Sequence, residues 1–297
     1  MISVIIPAFN EEEAIVTTLE NIKKVLASIE STPTEIIVVD DGSWDRTSQL
    51  AQKVGAKVIR NPHNIGYGFS LKTGIKAARF DTIVITDADG TYPLDKIPVL
   101  LEEYKKGFDM VIGMRTGRYY RESLFKIPLR IILKWLVEFT TGRKVPDINS
   151  GLRIFSKEVV TPYFNNLCNT FSFTTSLTLA YMMTGKFVSY IQIPYYKRVG
   201  TTKVRIFRDS IRTLQFIVQA ILYYNPLKIF IVLCGLTMVF SLVCLILSFA
   251  FHVLSTFILG ISSILVTIII FALGLLADLL RQIMIGIQAK GLTKNER

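Results

Sequence analysis

Short apolar runs and amphipathic segments alternate along residues 1–115. The apolar runs include Val4–Ile6 and Ile83–Ile85, whose length and β-branched composition predict buried strands. Each run precedes a segment with apolar residues at helical spacing, as at Ile15, Leu19 and Ile22. Strands that alternate with helices in this way predict an α/β fold, with a mostly parallel sheet covered by helices on both faces.

Two much longer apolar segments follow Pro226. The first covers residues 229–250 without a charged residue, and the second covers about 257–278, uncharged as far as Leu276. A helix of the first length is about 33 Å long, enough to cross a bilayer core of about 30 Å. Buried helices of a soluble protein are the alternative, but two such segments in succession favour a transmembrane hairpin.

Charge along the chain refines this prediction. Lysine and arginine flank the two segments on their outer sides, and the link "FHVLST" has neither, which predicts cytoplasmic termini and a cytoplasmic N-terminal domain. The net charge of +11 then points to an anionic lipid surface rather than to nucleic acid. The two histidines and three cysteines of the chain exclude a histidine-based metal site or triad and give no disulfide pattern.

Acidic residues follow three of the predicted strands. They are Glu11 after the first, Asp40 and Asp41 after the second, and Asp87 and Asp89 after the fourth. The carboxyl ends of parallel strands meet at one edge of a sheet, so these groups would repel unless a cation lies between them. A divalent cation such as Mg²⁺, shared with a substrate diphosphate, satisfies them; turn and helix-capping carboxylates are the alternative. The phosphate-loop and dinucleotide-binding glycine patterns are absent.

Six motifs, taken together and in order, carry a resemblance to a known family. They are "VIIPAFNEE", "VVDDGSWDRT", "NIGYGFSLKTGI", "VITDADGTYP", "DINSGLRIF" and "KRVGTTK", over about residues 2–205. This set resembles the family 2 glycosyltransferases, and within them the dolichyl-phosphate mannose synthase group. The resemblance implies a GT-A fold, a nucleotide-diphosphate sugar donor, Mg²⁺ or Mn²⁺, a polyprenyl phosphate acceptor and inversion at the anomeric carbon.

The resemblance also implies roles for residues at the donor side. Nucleotide-binding positions would be Pro7, Phe9, Glu11, Asp40, Asp87, Ala88 and Lys203, with Asp40 at the base or ribose and Asp87 and Ala88 at the ribose and diphosphate. Asp89 would hold the metal, and Asp147 would reach the sugar or orient the site. Thr91 stands where relatives often have a glutamine that ligates the metal, so its hydroxyl is a candidate ligand.

Basic residues suggest the acceptor side. A lipid phosphate is largely dianionic at pH 7 and needs no general base, so a cationic clamp would suffice. Arg115, Arg130, Lys134 and Arg198 are the candidates. Arg130 and Lys134 share one face of an apolar helix suited to a membrane surface, and Arg198 lies in a loop around Gly200 that could close over donor or acceptor. Solvated charges are the alternative in both places.

These patterns divide the chain into a catalytic domain, an amphipathic interface helix and a membrane hairpin with a short basic tail. The predicted bounds are 1–205, 206–225 and 226–297. The predicted reaction moves one sugar from GDP-mannose or a UDP-hexose to dolichyl or undecaprenyl phosphate. A processive polysaccharide synthase is disfavoured because the chain lacks QxxRW, and a non-catalytic scaffold is disfavoured by the intact acidic residues. The sequence leaves the sugar, the base and a homo-oligomer open.

Overall fold

The computed structural model describes residues 1–29, 32–117, 127–200 and 206–295, without the side chains of 127–130, 132–133, 206–213 and 285–295. The chain forms two compact units, Met1–Ile217 and Val218–Arg297. The first unit contains the sheet and the second contains the long apolar helices.

One sheet of seven strands organises the first unit. Its order is β3-β2-β1-β4-β6-β5-β7, and every neighbouring pair is parallel except the two that involve β6. The strands are β1 (Ile2–Ala8), β2 (Thr34–Asp40), β3 (Lys57–Arg60), β4 (Thr82–Ile85), β5 (Met110–Thr116), β6 (Arg153–Ser156) and β7 (Val188–Pro194).

Ten helices accompany the strands in the described residues, and a 3-10 turn at Leu94–Lys96 precedes the fourth. The helices of the first unit are α1 (Ile15–Ala27), α2 (Thr47–Lys53), α3 (Tyr67–Ala77), α4 (Ile97–Lys105), α5 (Ile127–Thr141), α6 (Lys157–Val160) and α7 (Phe173–Met183). Three further helices follow, namely α8 (Ile206–Tyr224), α9 (Pro226–Phe251) and α10 (Leu254–Asn295).

Alternation along the strands builds a core on each face of the sheet. Val4 and Ile6 of β1 join the core that buries α1 and α4, while Ile5 between them points to the opposite face. On that face α3 packs so closely that a Cβ at Gly74 would collide with Ile5 and approach Val39. The strands therefore read as continuous apolar runs because both faces are covered.

The predicted fold class is confirmed. Strands β1 to β5 and helices α1 to α4 occur where the sequence pattern predicts them. The sequence did not predict the reversed strand β6, which is inserted between β4 and β5 and pairs antiparallel with both. Because β6 runs antiparallel to β4, the residues that precede β6 lie next to the loop that follows β4.

The second unit consists mainly of α9 and α10. By length and composition, Pro226–Phe251 and Leu254–Met284 can each cross a membrane. Small and polar residues join the two helices: Ser241 Oγ donates to the carbonyl of Gly260 (2.7 Å), and the hydroxyls of Thr237 and Thr267 lie 2.8 Å apart. Large apolar side chains point outward, as expected for helices solvated by lipid tails.

The turn between these helices is shorter than predicted. A six-residue link was expected, but α9 continues to Phe251 and α10 begins at Leu254, with His252 in the left-handed conformation (φ 53°). α10 continues to Asn295 and includes most of the predicted basic tail.

Candidate active site

Three parallel strands end side by side at the edge that carries the acidic residues. β1 lies between β2 and β4, so the loops after Ala8, Asp40 and Ile85 emerge together. The backbone N–H of Asp41 donates to the carbonyl of Ala8 (2.8 Å), which extends the β1–β2 pairing by one residue. Pro7 pairs with Val39 as the last but one residue of β1. The predicted convergence of these loops is therefore present.

Asp40 is fully buried, and the loop that follows it uses both of its oxygens. Oδ1 accepts the N–H of Ser43 (2.9 Å), while Oδ2 accepts the hydroxyl of Ser48 and lies 3.4 Å from Nε of Arg60. This carboxylate shapes the turn after β2.

Asp41 is also buried, and both of its carboxylate oxygens accept hydrogen bonds from the protein. Its Oδ1 accepts from Asn61 Nδ2 (2.8 Å) and from the N–H of Ile65 (3.1 Å), and its Oδ2 accepts the N–H of Gly66 (2.8 Å). The loop before α3 is therefore fixed to the end of β2.

The segment after β1 is tied to the same turn. Asn10 has a left-handed backbone (φ 53°), its N–H donates to Ser43 Oγ (2.9 Å), and its side-chain oxygen accepts the N–H of Trp44 (3.0 Å). The ring of Phe9 meets the exposed Trp44 edge to face, with centroids 5.0 Å apart. These bonds fix Asn10, and with it the neighbouring Phe9 and Glu11, to the turn after β2.

Asp87 and Asp89 lie in the loop after β4. Oδ1 of Asp89 accepts from Thr91, through its hydroxyl (2.6 Å) and its N–H (3.1 Å). Asp87 accepts the hydroxyl of Tyr67 at Oδ1 (2.9 Å). Burial, followed by the neighbouring charge of Asp89, raises the pKa of Asp87 to about 7. Ala88, between them, accepts the hydroxyl of Thr18 at its carbonyl (3.0 Å) and is buried.

Arg198 is the cation that reaches this pair. Its Nη2 lies 2.6 Å from Oε1 of Glu11, and its Nη1 lies 3.4 Å from Oδ2 of Asp89. The segment that carries it follows β7 and docks on the turn through two backbone bonds, Val199 N–H to the Asp89 carbonyl (3.1 Å) and Tyr196 N–H to the Thr91 carbonyl (3.0 Å). Arg198 therefore lies among the carboxylates predicted for the donor.

Arg115 and Asp147 form a bidentate ion pair at the end of β5. Nε and Nη2 of Arg115 each lie 2.8 Å from an oxygen of Asp147, and the guanidinium stacks over the ring of Tyr195 (5.3 Å). Burial opposes ionisation of Asp147, but the hydrogen bonds and charge of Arg115 outweigh it, so the pKa of Asp147 is lowered. Two hydrogen bonds therefore hold the guanidinium of Arg115 in one orientation against the buried Asp147.

Sequence reasoning missed a buried arginine at the start of β6. Arg153 is fully buried and donates to the carbonyls of Ser150 and Ile148 (2.7 Å each) and to the hydroxyl of Thr178 (2.6 Å). These bonds hold the loop that carries Asp147. A basic residue inside an apolar strand run, as in "GLRIF", was the available signal.

The remaining predicted residues lie elsewhere or outside the description. Lys134 is exposed on α5, with Nζ 3.8 Å from Oε1 of Glu138. The side chain of Arg130 and all of Lys203 lie outside the described residues. The structure thus brings together Glu11, Asp87, Asp89 and Arg198, while the membership of Arg130 and Lys203 stays a prediction.

The donor set suits a divalent cation held jointly with a ligand. No group of three His, Cys, Asp or Glu side chains forms a metal cage in the part of the chain that the structure describes. Asp89 nevertheless directs Oδ2 toward a cationic group, and burial, followed by the charge of Asp89, raises the pKa of its neighbour Asp87. Mg²⁺ and similar ions often take only one or two protein carboxylates together with phosphate oxygens. The residues therefore fit such an ion bound with a diphosphate.

Comparison with protein families assigns the chain. Residues 3–164 match the model of "Glycosyl transferase family 2", which covers the acidic edge and the Arg115–Asp147 pair. The chain belongs to this family and is a glycosyltransferase.

Two relatives carry more specific names. The chain is 29% identical to a dolichyl-phosphate hexose transferase of Haloferax volcanii, over 68% of this chain and 86% of the relative. It is 30% identical to an undecaprenyl-phosphate 4-deoxy-4-formamido-L-arabinose transferase of Edwardsiella ictaluri, over 54% of this chain. The aligned region spans half of the length of that second relative.

A solved structure supports the fold. Glucosyl-3-phosphoglycerate synthase of Mycobacterium tuberculosis, crystallised with Mn²⁺, UDP and glucosyl-3-phosphoglycerate, superimposes with a TM-score of 0.60 and 21% identity. The match covers 74% of this chain and 79% of the synthase. At this identity the likeness concerns the fold alone, which agrees with the predicted GT-A type.

Proposed function

We propose that this glycosyltransferase transfers one sugar from a nucleotide-diphosphate sugar to a polyprenyl phosphate at the cytoplasmic face of a membrane, with inversion of the anomeric carbon. One observation carries the proposal: a single chain combines a carboxylate pair at a sheet edge with two helices long and apolar enough to cross a membrane. The names of the dolichyl- and undecaprenyl-phosphate transferases among its relatives support the same reaction.

On the donor side, Phe9 and Glu11 line one wall of the nucleotide pocket and Asp87 meets the ribose or diphosphate. Asp89 holds Mg²⁺ or Mn²⁺, supported by Thr91. The metal, when bound, supplies positive charge that stabilises the departing diphosphate. The Mn²⁺ and UDP of the mycobacterial structure support this class of donor complex.

Arg198 connects the loop after β1, which carries Glu11, to the loop after β4, which carries Asp89. It pairs with Glu11 and reaches Asp89 through a loop docked on the acidic turn. A cation between two carboxylates can turn to a phosphate oxygen when donor binds, since a phosphate offers a comparable acceptor. This role places Arg198 at a diphosphate, or at the acceptor phosphate beside it.

On the acceptor side, the chemistry needs positive charge rather than a base. A phosphate monoester is mostly dianionic at pH 7, so its oxygen attacks the anomeric carbon directly. Attack opposite the leaving diphosphate inverts that carbon. Asp147 holds the guanidinium of Arg115 in place, and Arg115 offers a fixed positive charge to the lipid phosphate.

α5 supplies the membrane contact of the catalytic unit. Ile131, Trp135 and Phe139 recur every four residues and are exposed, and the last two rings stack with centroids 5.4 Å apart. Lys134 is exposed on the same helix. An apolar stripe beside an exposed lysine fits the interface of an anionic bilayer, with Lys134 at the level of lipid phosphates. The same role for Arg130 stays a prediction.

The test is sugar transfer in membranes that contain the full chain. Labelled GDP-mannose, UDP-glucose, UDP-galactose and UDP-N-acetylglucosamine are offered separately with polyprenyl phosphate, with and without a chelator. We expect label in the lipid from one donor, lost on chelation and restored by Mg²⁺ or Mn²⁺. The anomeric configuration of the product then tests inversion.

Asp95→Asn is the matched control for variants of the acidic turn, because Asp95 is an exposed residue of the adjacent 3-10 turn. Absence of transfer from every donor by a folded, membrane-inserted chain would contradict the proposal and favour the scaffold alternative.

A further inference from the structure

The motif "NIGYGFSLKTG" has no place in the proposed donor contacts, yet the structure puts its tyrosine against them. Tyr67 is the first residue of α3, and its hydroxyl donates to Oδ1 of Asp87 (2.9 Å). Among the described residues, the structure gives Asp87 no other hydrogen-bond donor. The tyrosine therefore fixes one carboxylate oxygen of Asp87, while Oδ2 accepts no hydrogen bond from the described residues.

The two glycines of the motif explain how the tyrosine reaches this position. Gly66 has a backbone conformation that side chains rarely adopt (φ 127°), and a Cβ there would lie 2.7 Å from the carbonyl oxygen of Asn169. A Cβ at Gly68 would lie 2.9 Å from the carbonyl carbon of the same residue. The start of α3 thus rests directly on the backbone of the loop before α7.

Further contacts hold the tyrosine from both sides. Its ring stacks on Phe171 of that loop, with centroids 5.7 Å apart and planes 15° from parallel. The N–H of Gly66 donates to Oδ2 of Asp41 (2.8 Å). The buried Asp41 after β2 therefore orients the residue that holds Asp87 after β4.

The opposite side of Asp87 is equally confined. A Cβ at Gly151 would lie 2.8 Å from Oδ1 and 2.9 Å from Oδ2, so the carboxylate lies flat against this backbone. The N–H of Gly151 in turn donates to the hydroxyl of Tyr92 (2.6 Å). Asp87 thus occupies a slot between α3 and the start of β6.

We propose that Tyr67 is a positioning residue that holds Asp87 in its donor-binding orientation, with Asp41 and Phe171 fixing the tyrosine itself. The proposal rests on the proposed function, since it assigns Asp87 to the donor. A hydrogen bond to a charged acceptor contributes more than a neutral one, and a preoriented carboxylate loses less freedom on binding.

The experiment measures the affinity of the purified full chain for GDP and for UDP in the presence of Mn²⁺, by titration calorimetry. Tyr67→Phe removes the hydroxyl and keeps the stacked ring. We expect the affinity for the bound nucleotide to fall about tenfold, with a melting temperature lower by only a few degrees, as for the loss of one hydrogen bond. Tyr181→Phe is the control, because it removes a buried hydroxyl that has no hydrogen-bond partner in the described structure; its affinity should equal that of the wild type.

A double-mutant cycle separates positioning from a general structural role. If Tyr67 acts through Asp87, Tyr67→Phe should weaken nucleotide binding less than twofold further in an Asp87→Asn background. An equal tenfold loss in both backgrounds would overturn the inference, as would wild-type affinity in Tyr67→Phe. Failure of the wild type to bind either nucleotide or to transfer sugar would instead overturn the proposed function.

Discussion

Two aspartate pairs follow neighbouring strands of the same sheet, and they differ in what holds them. Asp40 and Asp41 are buried, and both oxygens of each accept hydrogen bonds, from the residues after β2 for Asp40 and from the segment before α3 for Asp41. Asp87 and Asp89 are bonded by Tyr67 and Thr91 and face the loop cation Arg198. The first pair joins the loops at the sheet edge, and the second pair includes the carboxylate that Arg198 reaches. The contact of Asp40 with the base or ribose stays a prediction.

An acidic residue at the end of a strand is therefore not sufficient evidence of a ligand-binding site, because its carboxylate can also hold neighbouring loops. In sequence, "VVDDGS" and "VITDADG" are equivalent candidates. Their difference comes from donors far along the chain, since Asp41 accepts from Ile65 and Gly66. The substitutions below test this division, in order of decreasing expected effect.

Asp89→Asn should give the largest effect on activity. It keeps the size of the side chain and the bond to Thr91 but removes the charge that would hold the cation. We expect sugar transfer to fall about a thousandfold without a change in melting temperature. Transfer is measured in membranes beside Asp95→Asn, and residual transfer near the wild-type rate would place the metal elsewhere.

Asp41→Ala should affect the fold rather than the ligand directly. The change removes the acceptor of three donors, the buried side chain of Asn61 and the half-buried N–H groups of Ile65 and Gly66, so the free energy of unfolding should fall by about 3 kcal/mol. Denaturant unfolding of the detergent-solubilised chain measures this, with Asp95→Ala as the exposed control. An unchanged unfolding midpoint would remove the distinction between the two aspartate pairs.

Arg198→Gln tests the cation that faces the second pair. The guanidinium bridges Glu11 and Asp89, and we propose that it turns to phosphate on binding. Transfer efficiency, kcat/KM for the donor, should fall about tenfold. Lys105→Gln, an exposed change on α4, is the charge-matched control. An increase in efficiency would show that Arg198 blocks the site instead of serving it.

Thr91→Val should give the smallest effect. Valine keeps the shape of the side chain and removes the hydroxyl that donates to Asp89. The metal concentration for half-maximal transfer should rise about fivefold, while the rate at saturating metal changes little. Thr161→Val, an exposed threonine, serves as the comparison. A complete loss of transfer would indicate that Thr91 is itself a metal ligand.

Local patterns predicted most of the fold. Apolar runs of strand length and helical spacing identified β1 to β5, α1 to α4 and the two long apolar helices. The reversed strand β6 was not predictable, since only its pairing with both β4 and β5 sets its direction. The turn at His252 was also misplaced, because apolar composition does not mark where a helix in such a segment ends.

The sequence predicted the acidic residues of the candidate site but not the residues that hold them in place. Strand-end convergence predicted that Asp87 and Asp89 lie at the same sheet edge as Glu11 and Asp40, which the strand order confirms, and the family resemblance added Asp147. The roles of these residues stay predictions. The roles of Tyr67 and Arg153 depend on partners brought near by the fold, namely Asp87 for the tyrosine and Thr178 for the arginine. Such contacts leave no periodic signal in the sequence.

The most direct test of the account is binding of Mn²⁺ to the full chain with and without a nucleoside diphosphate. We expect the wild type and the exposed control Asp95→Asn to bind Mn²⁺ tightly only when GDP or UDP is present, and Asp89→Asn not to bind it. Equal binding by Asp89→Asn and the wild type would contradict the assignment of the Asp87–Asp89 turn as the donor and metal site.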